Sequence, residues 1–236
     1  MLQAIVFDFD GTILDTETPD FQTWHEIYRC YDVALPLDLW LKCVGGGTDE
    51  FDPHQHLEAL LGRTIDRQRL RTERRRQFLA RVHAQPVLPG VLELIAEAER
   101  RGLKLAVASS SDRNWVDSHL QRLGLRSRFL AIVTADDVER VKPDPALYRL
   151  AVKRLDVPPR QAVAIEDSYN GMLGAKGAGL HCVAVPNHIT RSSDFSAADL
   201  QLDSIDSIAA DDLIDRFSGP PVSAANGTDD GLKEAP

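Results

Sequence analysis

The feature that most constrains the fold is a series of five short apolar runs. They occupy residues 4–7, 103–108, 131–134, 162–165 and 182–185. They are rich in Val, Ile and Ala and lack the polar–apolar alternation of a sheet with one face in water, which indicates strands buried on both faces. Helical patterns at residues 145–155 and 169–178 separate the later runs. Strands that alternate with helices predict an α/β fold built on a doubly wound, Rossmann-like parallel sheet.

The first two runs are separated by about ninety residues, whereas an ordinary crossover between parallel strands needs about a dozen. Helical patterns fill this interval, at residues 21–31, 37–42, 54–61 and 66–82. We therefore predict an inserted α-helical cap domain at residues 14–84 and an α/β core domain formed by residues 1–13 and 85–217. Residues 218–236 are small, polar and rich in Pro and Gly, which predicts a disordered tail.

The overall charge limits the partners. A formal net charge of -9 disfavours nucleic acid and anionic membrane as partners, because both carry negative charge themselves. The three cysteines form no CxxC pair, which favours reduced thiols. The first ten residues contain carboxylates and no basic leader, and no apolar stretch is long enough to span a bilayer. We expect a cytoplasmic protein with a small-molecule partner; no oligomeric state is favoured.

Polar groups with phosphate or metal chemistry follow four of the predicted strands. These groups are residues 8–12 (DFDGT), the three serines 109–111, Lys142, and the acids 166–167. In open α/β sheets, ligands bind at the carboxyl ends of the strands, so we expect these groups to meet. Together they offer oxygen ligands for Mg²⁺, hydroxyl donors for phosphoryl oxygens and a cation for the remaining charge. The set predicts phosphoryl transfer.

The ordered motifs DFDGT, ASSS, KPDP and IEDSYNG resemble the four motifs of the haloacid dehalogenase superfamily. The helical insertion after the first motif resembles the cap of its β-phosphoglucomutase and phosphoglycolate phosphatase branch. The resemblance covers nearly the whole chain except the tail. It implies a Mg²⁺-dependent phosphoric monoester hydrolase that acts on a small phosphorylated metabolite, such as a sugar phosphate, through an aspartyl-phosphate.

The resemblance also implies a role for each acid. Asp8 is expected to attack phosphorus, and Asp10 to protonate the departing alkoxide and then take a proton from the hydrolytic water. Mg²⁺ is expected at Asp8, at the backbone carbonyl of Asp10 and at Asp167, with Glu166 in support. Elementary chemistry agrees with the first two roles. A carboxylate bound to a cation stays ionised and can act as nucleophile, while a neighbour whose side chain binds no cation can exchange a proton.

The remaining site residues are expected to hold the phosphoryl group and the substrate. By resemblance, Ser109 hydrogen-bonds a phosphoryl oxygen, and Lys142 neutralises charge and orients Asp8. Further candidates for substrate binding are small or hydroxylated residues of the strand-end loops and of the presumed cap loop: Gly11, Thr12, Ser110, Ser111, Gly46, Gly47 and Thr48.

Two other patterns favour structural explanations. The arginine-rich segment 67–81 is interleaved with apolar residues at helical spacing, so we expect a solvated helix face and no nucleic-acid surface. His54 and His56 stand two residues apart at a helix start, which does not put both rings on one face. We expect them to pack and not to bind a metal.

Related chemistries and one other class of protein compete with hydrolysis. A dehalogenase or a phosphonatase is expected to lack the second aspartate, so Asp10 disfavours both.

A hexose-phosphate mutase shares all four motifs but must hold a second phosphate. That family uses a basic residue on the cap loop, whereas residues 45–50 (GGGTDE) contain no base, and its cap-entry histidine is absent from residues 18–20 (TPD). Lys42 and Arg63 are close enough in sequence to keep the mutase open.

A receiver-like phosphoacceptor module is the alternative from another class, because it too uses Asp, Mg²⁺, Ser/Thr and Lys on a doubly wound sheet. Receivers place no insertion after the first strand and carry the accepting aspartate in mid-chain. Steady turnover of p-nitrophenyl phosphate would indicate an enzyme, and a single stoichiometric acylphosphate would indicate a switch.

Overall fold

A computed structural model describes residues 1–41 and 51–219 of the chain. Three predicted substrate-binding residues, Gly46, Gly47 and Thr48, lie outside the described residues. So do Lys42 and all but the first two residues of the predicted tail.

One six-stranded parallel sheet forms the centre of the described structure. Its strands are β1 (Ala4–Phe7), β2 (Lys104–Ala108), β3 (Ala131–Val133), β4 (Ala162–Glu166), β5 (His181–Ala184) and β6 (Leu200–Gln201). Their order across the sheet is β3-β2-β1-β4-β5-β6, with every pairing parallel. The predicted α/β fold class is confirmed. The sixth strand was not predicted, because two residues are too short to form a recognisable apolar run.

Strand β1 occupies the middle of the sheet and is completely buried. Phe7 pairs with Val107 of β2 on one side and with Ile165 of β4 on the other. Successive side chains point to opposite faces of a strand. Ile5 and Phe7 accordingly join one hydrophobic cluster and Ala4 and Val6 another. Both faces of the sheet are covered, which explains why the strands lack polar alternation.

The described ranges contain nine α-helices. They are α1 (Glu17–Cys30), α2 (Leu37–Trp40), α3 (Pro53–Leu61), α4 (Arg67–Ala84), α5 (Val91–Arg100), α6 (Arg113–Arg122), α7 (Ala146–Leu155), α8 (Tyr169–Gly177) and α9 (Ala210–Ser218). Within these ranges, no helix combines the length and apolar character that a membrane crossing needs.

Side-chain caps mark several helix starts that the sequence predicted. Asp52 accepts hydrogen bonds from the backbone amides that open α3, and Ser168 accepts one from the amide of Gly171 in α8. Helix α7 begins one residue later than expected, at Ala146. The Asp144 carboxylate accepts from the Ala146 amide at 2.9 Å, so a side chain two residues earlier still binds this helix start.

Helices α1 to α4 form the helical insertion between β1 and α5, and they enclose a hydrophobic cluster that Ile189, after β5, also joins. Its most buried members include Trp24, Tyr28 and Leu57. The chain enters and leaves this insertion at one place, where Leu14 forms an antiparallel bridge with Val87. The boundaries of the predicted cap domain remain a prediction.

Candidate active site

The predicted nucleophile, Asp8, directly follows the central strand β1. Its backbone amide donates to the carbonyl of Ile165 at 2.9 Å, so the strand pairing fixes the residue before its side chain makes any contact. Only 5% of Asp8 is exposed. The Lys142 ammonium contacts Asp8 Oδ1 and lies 2.6 Å from Glu166 Oε1. Because all three groups are buried, each needs the opposite charge of its neighbour.

Asp8, Glu166 and Asp167 form a carboxylate trio whose nearest oxygens lie within 4.8 Å of one another. Burial, with the charges of Glu166 and Asp10, raises the pKa of Asp8 to about 8, although Lys142 opposes the shift. Burial and the Asp8 and Glu166 charges raise the pKa of Asp167 well above its usual value. One ammonium faces three crowded carboxylates, and a divalent cation would balance the excess. Oxygen donors of this kind suit Mg²⁺, so the residues fit the predicted cofactor.

Three uncharged side chains hold the trio in place. The Tyr148 hydroxyl donates to Glu166 Oε1, and Ser168 Oγ donates to Glu166 Oε2 at 3.1 Å. Asn187 Nδ2 donates to Asp167 Oδ2 at 2.7 Å. These residues were not predicted as site residues. Tyr148 and Asn187 lie on a helix face and in a loop, where no motif spacing marks them.

Two glycines leave the room that the trio needs. Gly11 has a φ of 82°, in the left-handed region that favours glycine, and a Cβ there would overlap the carboxylate of Asp167. A Cβ on Gly171, at the start of α8, would overlap the carboxylate of Glu166. Glycine at these two positions therefore allows the backbone to approach the acids closely.

The second aspartate, Asp10, does not belong to the trio, and four donors hold it. Its Oδ1 accepts from Thr16 Oγ1 at 2.9 Å and from Trp115 Nε1 at 2.8 Å. Its Oδ2 accepts from Ser111 Oγ at 2.6 Å and from Ser109 Oγ at 3.3 Å. The predicted phosphate-binding serines thus contact Asp10 itself. The Asp10 side chain therefore has a different environment from that of Asp8.

A cavity of about 440 Å³ connects these groups. Its described wall contains the predicted residues Asp8, Asp10, Ser109, Ser110, Ser111, Lys142 and Asp167, together with the unpredicted Thr16, Glu17, Asp20, Arg74, Arg75, Phe78, Asp112, Trp115 and Ser168. Gly11, Thr12 and Glu166 do not belong to this wall, and Thr12 is buried. The strand-end residues form one side of the cavity and the helical insertion forms the other.

The arginine-rich helix α4 contributes two residues to this wall. Residues 67–81 were expected to be a solvated helix face, and most of them are exposed, but Arg74 and Arg75 also line the cavity. Arg74 forms an ion pair with Asp20 of α1, and its guanidinium lies 5.7 Å from the ring centre of Phe78. The sequence showed the helical period but not which way α4 is turned, because that depends on its packing against α1.

Residues 5–185 match the sequence model of the family described as "Haloacid dehalogenase-like hydrolase". The chain is 42% identical over 218 residues to YhcW of Bacillus subtilis, with 92% of this chain and 99% of the relative covered. It is 32% identical over 181 residues to the phosphorylated carbohydrates phosphatase of Thermotoga maritima, with 76% and 82% covered.

A solved structure resembles the fold of this chain over most of its length. The crystal structure of CbbY from Rhodobacter sphaeroides in complex with xylulose-(1,5)bisphosphate superposes with a TM-score of 0.67 at 33% identity, with 87% of this chain and 95% of that chain covered. The parallel sheet and its strand-end acids define a hydrolase of the haloacid dehalogenase superfamily. The chain belongs to the haloacid dehalogenase-like hydrolase family, and the prediction of a phosphoric monoester hydrolase is confirmed.

Proposed function

We propose that the chain is a Mg²⁺-dependent phosphatase that hydrolyses a phosphorylated sugar or a similar small metabolite through an aspartyl-phosphate on Asp8. One observation carries the proposal. Asp8 ends the central strand, contacts Lys142 and belongs to a buried carboxylate trio, while Asp10 lies beside it in a separate set of hydrogen bonds.

Asp8, Glu166 and Asp167 would hold the metal ion, which supplies positive charge for the phosphoryl oxygens when it is bound. Lys142 supplies a fixed positive charge beside Asp8, so the attacking oxygen is oriented before substrate arrives. The serine loop before α6 offers hydroxyls, and the first turn of that helix offers backbone amides to an anion.

The reaction then divides between the two aspartates. An Asp8 oxygen attacks phosphorus, and the bond to the leaving oxygen breaks as Asp10 gives that oxygen a proton. Asp10, now ionised, takes a proton from a water molecule that attacks the aspartyl-phosphate. Phosphate leaves with the oxygen of the water, Asp8 is restored and Asp10 is protonated again, so both aspartates return to their starting states.

The proposed substrate class is supported by the relatives. The Thermotoga maritima relative is a phosphatase of phosphorylated carbohydrates, and CbbY binds a sugar bisphosphate. The cavity wall agrees with such a ligand, since the carboxylates of Glu17 and Asp20 can accept hydrogen bonds from sugar hydroxyls. We further propose a cytoplasmic location, where phosphorylated metabolites occur.

A hexose-phosphate mutase is the second candidate, and a specific observation favours it. The absence of a base in residues 45–50 argued against a second phosphate site, but Arg74 and Arg75 bring cations to the cavity from another element. Arg74 already pairs with Asp20, so Arg75 is the stronger candidate for a second phosphate. We keep hydrolysis as the proposal. Family membership makes the receiver-like alternative untenable.

The mutase is tested directly with β-glucose 1-phosphate and a catalytic amount of the bisphosphate. We expect free phosphate to form, and no glucose 6-phosphate to be detected even when a coupled dehydrogenase consumes it as it appears. Efficient isomerisation would replace the phosphatase proposal with the mutase.

The two aspartates are distinguished by variants assayed on two leaving groups. Asp8→Asn removes the attacking oxygen and a metal ligand, so turnover should fall to background and Mg²⁺ affinity should weaken. Asp10→Asn should lose about 10²–10⁴-fold on an alkyl phosphate, whose alkoxide needs a proton. p-Nitrophenolate leaves without much help, so Asp10→Asn should still release a burst of it before turnover slows.

Mass measurement of the trapped protein completes the test. A phosphorylated aspartate should be found in Asp10→Asn and not in Asp8→Asn. Equal losses on both leaving groups for Asp10→Asn, with phosphorylation surviving in Asp8→Asn, would show that the roles are assigned wrongly.

A further inference from the structure

Trp115 connects the second aspartate to the rest of the molecule. It lies in the first turn of α6, where the Asp112 side chain accepts from the Trp115 amide at 2.7 Å and so fixes its backbone. Its indole Nε1 donates to Asp10 Oδ1 at 2.8 Å. Asp10 and Trp115 are far apart in sequence, and this contact joins the end of β1 to the helix that follows β2.

The indole ring is held between two other rings. Phe78 stacks on it with an interplanar angle of 12° and a centroid distance of 5.6 Å. His119, one turn further along α6, meets it edge to face at 4.2 Å. Phe78 belongs to α4 of the helical insertion, whereas His119 is buried in the core. One side chain therefore contacts Asp10, the core and the insertion at once.

The chemistry of the donors distinguishes the two Asp10 oxygens. An indole N–H can only donate, so the oxygen that it contacts must act as the acceptor. Oδ1 also accepts from the Thr16 hydroxyl, whereas both reported partners of Oδ2 are hydroxyls, those of Ser109 and Ser111, which can donate or accept as the proton moves. The contact with Trp115 therefore makes Oδ2 the oxygen that gives and takes the proton.

We propose that Trp115 is a positioning residue for the acid–base step: it reserves Asp10 Oδ2 for proton transfer and couples that orientation to the position of α4 through Phe78. The inference rests on the proposed role of Asp10 and extends it to the helical insertion. When α4 packs against the indole, the carboxylate is oriented, and when α4 moves away, this constraint on the carboxylate is lost.

Trp115→Phe tests the donor without removing the aromatic packing. Loss of a hydrogen bond to a charged group should lower kcat on glucose 6-phosphate about ten- to hundredfold. The burst of p-nitrophenolate from p-nitrophenyl phosphate should be nearly unchanged, because that leaving group needs little protonation. Trp24→Phe is the control, since Trp24 is a tryptophan buried in the insertion that does not line this cavity. It should leave the ratio of the two rates unchanged.

Two further variants separate positioning from general packing. In an Asp10→Ala background, Trp115→Phe should cost nothing more on glucose 6-phosphate, because the group through which it acts is gone. Phe78→Leu keeps the indole N–H and loses the stacked ring. Phe78→Leu should lower kcat on glucose 6-phosphate by a smaller factor than Trp115→Phe does. The burst of p-nitrophenolate should again be nearly unchanged.

The outcomes also separate this inference from the proposed function. If the wild-type protein hydrolyses no phosphate monoester, the proposed function fails. If the wild type is active and Trp115→Phe slows both leaving groups equally, or slows the Asp10→Ala variant as much as the wild type, the positioning role is wrong and the function stands.

Discussion

The two walls of the catalytic cavity differ in how their charged groups are held. On the sheet side, the Lys142 and Asp8 side chains are 2% and 7% exposed, and both belong to segments that follow parallel strands. On the insertion side, the Arg74 and Asp20 side chains are 23% and 31% exposed, and helix packing alone brings them together. Backbone pairing fixes the first wall, and side-chain packing fixes the second.

The two walls should also differ in how well they tolerate substitution. A buried ion pair that loses one partner costs about 3–5 kcal/mol, whereas an exposed pair contributes about 0–1 kcal/mol. The sheet wall therefore tolerates little change, and the insertion wall can change with small effects on folding. We infer that the first wall carries the phosphoryl chemistry and the second selects the substrate.

The largest effect should follow from removing the buried cation. Lys142→Met leaves Asp8 and the rest of the trio without their ammonium, so turnover should fall about 10²–10³-fold or more. The melting temperature without Mg²⁺ should also fall, and added Mg²⁺ should restore part of it. Lys176→Met is the control, because Lys176 pairs with Asp199 and about one-third of each of these side chains is exposed. A Lys142→Met variant as active as the control would remove the contrast between the walls.

A smaller loss should follow from crowding the trio. Gly171→Ala places a methyl group where the Glu166 carboxylate lies, so the acid must move away from Lys142. Overpacking of this kind costs about 1–3 kcal/mol, and we expect turnover to fall about tenfold or more. On the same helix, a methyl group at Gly177 would lie 3.5 Å from its nearest neighbouring atom, which is an ordinary contact. Gly177→Ala should therefore leave turnover unchanged. Equal activity of the two alanine variants would mean that the trio adjusts freely.

The smallest effect should come from the insertion wall. Arg75 lines the cavity at an exposed position, so Arg75→Ala should raise KM about threefold and leave kcat unchanged. The rise should be greater for fructose 1,6-bisphosphate than for glucose 6-phosphate, since a second phosphate offers a second anion. The neighbouring Arg76 pairs with Glu73 and does not line the cavity. Arg76→Ala should therefore leave the KM for both substrates unchanged. A fall in kcat for Arg75→Ala would assign the insertion a part in the chemistry.

The sheet wall could be predicted from the sequence, because its acids and serines lie at or directly after the ends of buried strands and Lys142 lies in the segment that follows β3. Knowing that Asp8, Ser109 and Asp167 end parallel strands is enough to bring them to one edge. The order of motifs along the chain therefore predicted the carboxylate trio and its lysine before any side chain was placed. What the sequence did not provide was the set of groups that holds them, such as Tyr148 and Asn187.

The insertion wall could not be predicted in the same way. A helical period shows that α4 has two faces but not which residues turn towards a neighbouring element, so the sequence could not assign Arg74 and Arg75 to the cavity. Trp115 did carry a signal. Asp112 is a typical N-cap three residues earlier, which places the indole in the first turn of a helix that begins at the site.

The paired ends of the helical insertion have a consequence for how such an enzyme can be altered. Leu14 bridges Val87, and the Leu88 amide donates to the Ile13 carbonyl at 3.0 Å. The two ends of the insertion therefore lie side by side. A segment with neighbouring ends can be exchanged for another of different length at a modest cost in loop-closure entropy. We infer that the insertion can be exchanged as a unit, so that a different insertion on an unchanged sheet would give the cavity a different wall towards the substrate.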